Sequence, residues 1–151
     1  MGFLRKRKPI FSAEETERIL NAIRHAEKET SGEVRVFVER KCKYIDAMDR
    51  ARQIFGNLEM YKTESRNGVL FYIATCDHQL AVLGDEGIHK VAGEQFWRNT
   101  LEQMVKEIKG KSPADGLCIG IAEIGLALKK YFPYNSQTDK NELPDNIVFG
   151  N

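Results

Sequence analysis

The six-residue run Val69-Leu-Phe-Tyr-Ile-Ala74 decides the fold. A run without charged or strongly polar residues is typical of a central strand that is buried on both faces. A second run, Leu80-Ala-Val-Leu83, follows closely, and the Cys76-Asp-His78 segment between them is too short for a crossover connection. The two runs therefore predict an antiparallel hairpin.

One strand and two helices are predicted upstream of this hairpin. The segment Glu33-Val-Arg-Val-Phe-Val-Glu39 alternates in side-chain character and predicts a strand with its valines on one face. The capping box Ser12-Ala-Glu-Glu15 begins a helix that is expected to continue to Ser31-Gly32. Asp46 is placed to cap a second helix, whose apolar residues recur at helical spacing up to Leu58.

Two further helical patterns follow the hairpin. The first comes after Gly87 and is closed by Gly110, and the second opens at Ser112-Pro-Ala-Asp115 and ends at Pro133. This order of elements predicts an α/β fold, a three-layer α/β/α sandwich in which helices flank both faces of a small mixed β-sheet. The predicted organisation is a basic N-terminal tail at 1–11, one domain at 12–133, and a polar C-terminal tail at 134–151 packed on or near the domain.

Composition limits the classes of function. The chain has 151 residues, with 23 basic residues against 22 acidic ones, so a nucleic-acid partner is not expected. Its three cysteines have no metal-ligand spacing and are interpreted as reduced thiols. No segment approaches the roughly 20 apolar residues that span a bilayer. We therefore expect a cytoplasmic protein, in which the basic run Arg5–Lys8 makes at most a weak contact with an anionic membrane.

The predicted strand directions suggest a site. A helical crossover makes the first two strands parallel, and the hairpin returns the third strand to the edge where the first two begin. That edge would collect Glu33, Asn67, Asp85 and Glu86, which are three carboxylates and one amide. Residues that are distant in sequence are thus predicted to share one rim of the sheet.

Clustered carboxylates repel one another and need a cation or raised pKa values to coexist. Because the rim offers only oxygen ligands, it points to Ca²⁺ or Mg²⁺ rather than zinc. A structural alternative is that Asp85 caps the following turn, Glu86 is solvated, and Glu33 pairs with Arg35 or Arg66. Composition and spacing alone leave both interpretations open.

The C-terminal tail offers further oxygen ligands. Asp139, Asn141 and Asp145 lie in a segment that begins like an EF-hand loop. Pro144 and Gly150 occupy the sixth and twelfth positions, where that loop needs Gly and a bidentate Glu, so an EF-hand is excluded. The tail either folds back to complete the shell at the rim or remains a polar surface segment.

Several ordered blocks of the sequence resemble TPM-domain proteins, and the chain is similar to a stand-alone bacterial member of that family. The blocks are Ser31–Val36, Asn67–Ala74, Gly84–Ile88 with Phe96-Trp97, Gly116–Pro133 and Asn141–Asp145. The resemblance implies an α/β/α sandwich, and it implies divalent-cation binding, calcium included, as in bacterial members. The best-known plant member is a thylakoid-lumen acid phosphatase.

The leading hypothesis is therefore a domain that binds a divalent cation, with Ca²⁺ preferred and Mg²⁺ as the alternative. Asp85 and Glu86 would be the principal ligands, and Glu33, Asn67 or the Asp139–Asp145 tail would complete the shell. A second hypothesis is a metal-assisted acid phosphatase that acts on a phosphorylated substrate at the same rim. A third is a non-catalytic module that presents its hairpin edge or tail to a protein partner.

Overall fold

The computed structural model describes residues 8–44, 46–134 and 147–150. The helices and strands follow the chain in this order: α1 (Ala13–Glu27), β1 (Glu33–Glu39), α2 (Ala47–Asn57), β2 (Gly68–Ala74), β3 (Gln79–Gly84), α3 (Glu86–Ala92), α4 (Glu94–Gly110), α5 (Pro113–Tyr131) and β4 (Ile147–Phe149). Residues Asp139, Asn141 and Asp145, and the run Arg5–Arg7, lie outside the described residues, so the predictions made for them stay predictions.

The described strands form one mixed sheet in the order β3-β2-β1-β4. β1 and β2 are parallel, with Glu33 opposite Gly68, and β2 and β3 form an antiparallel hairpin, with Val69 opposite Gly84. β4 pairs parallel to the free side of β1, with Val36 opposite Ile147. The predicted hairpin and the predicted parallel pair are both confirmed.

The sheet is covered on both faces, which confirms the α/β sandwich. On one face the valines of β1 pack with residues of α1, α4 and α5 such as Ile23, Met104 and Ile121. On the other face Leu70 and Tyr72 of β2 pack with α2. Because β2 is buried at every position, its continuous apolar sequence fits its central place in the sheet.

Four details differ from the sequence-based expectations. α1 ends at Glu27, and Thr30 instead forms an isolated bridge with Pro133. The first helical pattern after the hairpin is two helices that meet at Gly93, which has a φ of 83° that a side chain would disfavour. The acidic segment after β3 is not a loop, because Asp85 is the N-cap of α3. β4 lies within the segment interpreted as a polar tail, and its three residues are too few to give a strand pattern.

No described helix combines the length and the apolar character that crossing a lipid bilayer would require.

Candidate functional site

The edge of the sheet where β1 and β2 begin brings the three predicted rim segments together. The backbone N–H of Glu33 donates to the carbonyl of Asn67 at 3.4 Å, and the N–H of Asp85 donates to the carbonyl of Gly68 at 2.9 Å. The side-chain amide of Asn67 donates to Ser31 Oγ at 3.1 Å. The strand directions therefore place this edge as the sequence predicts, and we call it the amino-end rim.

Asp85 is the buried carboxylate of the amino-end rim, with 7% of its surface exposed. Its Oδ1 accepts the backbone N–H of Glu86 at 2.8 Å, which caps α3. Arg66 binds it in a bidentate manner, with Nε to Oδ2 at 2.7 Å and Nη2 to Oδ1 at 3.0 Å. Both oxygens of this carboxylate are therefore engaged by donors from two neighbouring segments.

Arg66 bridges the two acidic residues that the sequence singles out. Its Nη1 lies 3.2 Å from Glu86 Oε1, while its other nitrogens bind Asp85. Hydrogen bonding to Asp85 raises the pKa of the guanidinium, so Arg66 keeps its positive charge. The Arg66 side chain is nevertheless 42% exposed and Glu86 is 73% exposed, so solvent reaches the outer half of the cluster. Asp85 therefore caps α3, as the structural alternative in the sequence analysis has it. Arg66 forms ion pairs with both Asp85 and Glu86.

Gly87 fixes the distance between Arg66 and α3. Its N–H donates to the carbonyl oxygen of Arg66 at 2.8 Å. A Cβ at this position would stand 2.2 Å from the carbonyl oxygen of Ser65, well inside van der Waals contact. The absence of a side chain therefore lets the first turn of α3 lie directly on the 65–66 turn, where Arg66 has a positive φ of 50°.

Glu33 and Asn67 are deeply buried at the same rim, with exposures of 3% and 1%. Burial lowers the pKa of the neighbouring Arg35, whereas the charges of Glu33 and Glu27 raise it, so Glu33 lies within electrostatic range of this guanidinium. Asn67 Oδ1 is buried, and the described residues offer it no hydrogen-bond partner. The rim therefore contains one unused oxygen acceptor in addition to its carboxylates.

The oxygen atoms at the rim are of the kind that a hard cation prefers, but they are not arranged as a metal site. Its side chains present oxygen atoms, which Ca²⁺ and Mg²⁺ prefer. Within the described ranges, however, no group of three or more His, Cys, Asp or Glu side chains is arranged to hold a metal ion. A divalent cation that used Asp85 and Glu86 as ligands would have to replace their contacts with Arg66.

A second charged cluster, which the sequence analysis did not single out, lies at the opposite edge of the sheet. Glu39 ends β1 and is 5% exposed, and Arg50 of α2 binds both of its oxygens at 2.9 Å. The buried Tyr72 hydroxyl donates to Glu39 Oε2 at 2.5 Å. Strand alternation places Glu39 on the same face of the sheet as Phe37, and α2 covers that face. From the sequence, this alternation was the available signal that Glu39 has a partner on α2.

The fold and the charged edges define a small three-layer α/β protein with ionic clusters at both ends of its parallel strands. The TPM domain family model matches residues 5–127, which is most of the chain. The chain therefore belongs to the TPM domain family, as the sequence blocks indicate.

Two solved structures are similar to this chain. The NMR structure of BA42 protein from the psychrophilic bacterium Bizionia argentinensis is 42% identical, with a TM-score of 0.87, and the match covers 96% of this chain and 99% of that one. The N-terminal domain of cg2496 protein from Corynebacterium glutamicum is 10% identical, with a TM-score of 0.57 and coverage of 97% and 94%, and it supports the fold alone. No curated protein matches the chain in sequence.

Proposed function

We propose that the amino-end rim binds a divalent cation, Ca²⁺ in preference to Mg²⁺, in exchange for the guanidinium of Arg66. The observation that carries this proposal is that Asp85 and Glu86 already share one positive group, through contacts of 2.7, 3.0 and 3.2 Å. Two carboxylates held this close need positive charge between them, and Ca²⁺ meets that need with flexible geometry.

Exposure supports the exchange. The guanidinium is partly exposed, so water can solvate it as it leaves, whereas the buried Asp85 keeps its place at the N-cap of α3. The spare oxygen of Asn67 and the buried carboxylate of Glu33 are the candidate ligands beneath the ion. Asp139, Asn141 and Asp145 of the tail remain the proposed source of further oxygens.

Calorimetric and amide NMR titration with Ca²⁺ and with Mg²⁺ tests this proposal. Asp85→Asn should weaken Ca²⁺ binding by roughly tenfold or more, because it removes a ligand charge, while asparagine still caps α3. Asp49→Asn is the matched control, since Asp49 is exposed on α2 and pairs with Arg52. Equal Ca²⁺ affinity in all three proteins would reject a site at Asp85.

The bidentate contact of Arg66 with Asp85 is the observation that favours hydrolysis of phosphate monoesters as a second function at this rim. A guanidinium released from Asp85 would stand beside the bound ion, where it could bind phosphate oxygens in a bidentate manner. We therefore propose a metal-assisted phosphatase as the alternative. Turnover of a chromogenic phosphate should require added cation and should be lost in Asp85→Asn; activity that survives both chelator and substitution argues against it.

A non-catalytic interaction module is the third proposal, and the position of β3 at one edge of the sheet supports it. Addition of a partner strand would use the backbone groups of Gln79–Gly84. Capture of a defined extended peptide by the wild type but not by a variant with proline at Leu80, whose N–H faces away from β2 in the observed register, would support it; equal capture would count against it.

A further inference from the structure

We propose that a cavity at the carboxyl end of β1 binds a small anion with two or more negative charges. The cavity has a volume of about 500 Å³, within the range of small-molecule sites. Its wall includes Phe37, Glu39, Arg40, Lys41, Lys43 and Gly150. It lies at the edge of the sheet opposite the amino-end rim, so this proposal stands independently of the cation site.

The charge of the cavity wall is predominantly positive. Arg50 also lines the cavity, but it neutralises Glu39, to which it binds with two of its nitrogens. Arg40, Lys41 and Lys43 therefore remain as three cationic side chains without a carboxylate in the wall to balance them. Three positive charges on one concave surface favour an anion that bears several charges over a monovalent one.

The residues around Arg40, Lys41 and Lys43 leave their positive charges available to a bound anion. Among the ion pairs of the described residues, none involves Lys41 or Lys43. Arg40 donates from Nη2 to the backbone carbonyl of Lys8, which leaves its other N–H groups for a ligand. Asp77, on the β2–β3 hairpin, accepts the backbone N–H of Cys42 at 2.7 Å, and counting its charge still leaves the region net positive.

The topology places this cavity where ligands bind in open α/β sheets. From the end of β1 the chain passes through α2, on one face, into β2. β4 pairs with the other side of β1 and follows α5, which packs on the opposite face. The ends of β1 and β4 therefore flank a switch point, and Gly150 after β4 and Arg40 after β1 both line the cavity.

The base of the cavity is closely packed. Arg50 lies over the ring of Phe37 at 5.6 Å, and Phe37 stacks on Tyr72 with ring centroids 6.2 Å apart. Gly150 closes the wall, since a Cβ there would stand 2.8 Å from the Phe37 ring. The flexible cationic side chains thus project from a fixed surface, which limits the ordering cost of holding an anion.

Amide NMR and calorimetry of the full chain, freed of divalent cations by passage over a chelating resin, test the proposal with pyrophosphate and citrate as probes. Chloride at the same ionic strength is the reference. Binding should shift the amide signals of Arg40–Lys43, Cys76 and Gly150. The double variant Lys41→Gln/Lys43→Gln should bind roughly tenfold more weakly. The matched control Lys90→Gln/Lys106→Gln removes two exposed lysines elsewhere on the surface and should bind as the wild type does.

The two probes also distinguish the source of the anionic oxygens. Binding of pyrophosphate alone supports a site for phosphate groups, and binding of both probes supports a site for multivalent anions generally. The proposal is overturned if neither probe binds more tightly than chloride. It is likewise overturned if the control variant loses as much affinity as Lys41→Gln/Lys43→Gln, because the effect would then come from net charge and not from the cavity.

Discussion

The two ends of the sheet each hold a carboxylate in the fork of an arginine, yet the two pairs differ in how much solvent reaches the arginine. At the amino-end rim Arg66 is 42% exposed over a buried Asp85, whereas at the carboxyl end Arg50 is only 20% exposed over an equally buried Glu39. Tyr72 adds a third hydrogen bond to Glu39, while Arg66 divides its bonds between Asp85 and Glu86.

Under the proposed function, this difference in exposure distinguishes a fixed ion pair at Glu39 from an exchangeable one at Asp85. A buried charge that loses its partner is left unsolvated, so the pair of Glu39 and Arg50 is expected to stay closed. Arg66 is exposed enough to return to water, whereas the buried Asp85 that it leaves would then need water or another cation, so the proposed function requires a cation to replace the guanidinium. The next three predictions test this distinction, in order of decreasing effect on stability.

Arg50→Met should produce the largest loss, about 3–5 kcal/mol in the free energy of unfolding, because it leaves the Glu39 charge buried without its main partner. Urea unfolding at neutral pH measures this loss. Arg52→Met is the matched control on the same helix, since Arg52 is 62% exposed and pairs with Asp49, and its effect should be close to zero. A similar small effect for both variants would show that the buried pair is no more structural than a surface one.

The pH dependence of stability should come next in size. Burial raises the pKa of Glu39, but hydrogen bonds from Arg50 and Tyr72 outweigh it and leave the folded-state pKa below its ordinary value. Because the folded pKa is lowered, the stabilisation is complete above the unfolded pKa of about 4.3 and is lost as the pH falls through the folded pKa.

Tyr72→Phe should shift that loss to higher pH, because it removes one donor to the ionised form of Glu39. At neutral pH the substitution should cost about 1–3 kcal/mol. Urea unfolding from neutral to acid pH measures both effects. The lowered pKa values of Glu29 and Asp115 add to the acid dependence of both proteins and cancel in the comparison. If the free energy of unfolding has the same pH dependence in the wild type and the variant, the Tyr72 hydroxyl does not affect the pKa of Glu39.

Much of the arrangement of residues at the amino-end rim could be predicted from the sequence, but little of the arrangement at the carboxyl end could. Strand directions follow from connection lengths, so the convergence of Glu33, Asn67 and Asp85 required only the order of the elements. The role of Arg66 did not follow, because an arginine before a strand carries no signal of which carboxylate it will bind. Glu39 and Arg50 were missed because strand alternation indicates only that Glu39 faces α2; which residue of α2 it binds depends on how that helix packs on the sheet.

The smallest effect on stability, and the sharpest test of exchange, is expected for Arg66→Gln. Glutamine has the same Cβ, so the positive φ of 50° costs it about as much as it costs arginine. The free energy of unfolding should fall by only about 1 kcal/mol, because water that enters at the exposed position of Arg66 can solvate the buried Asp85 in its place. Ca²⁺ affinity should rise by roughly tenfold, because the ion no longer competes with a guanidinium for Asp85 and Glu86. Arg24→Gln removes another exposed arginine, one that pairs with Glu17, and should leave Ca²⁺ affinity unchanged.

If Arg66→Gln binds Ca²⁺ no better than the wild type while Asp85→Asn abolishes binding, the site exists but Arg66 does not control access to it. If neither substitution alters Ca²⁺ binding, both pairs of the sheet are structural and the difference in their exposure has no functional consequence.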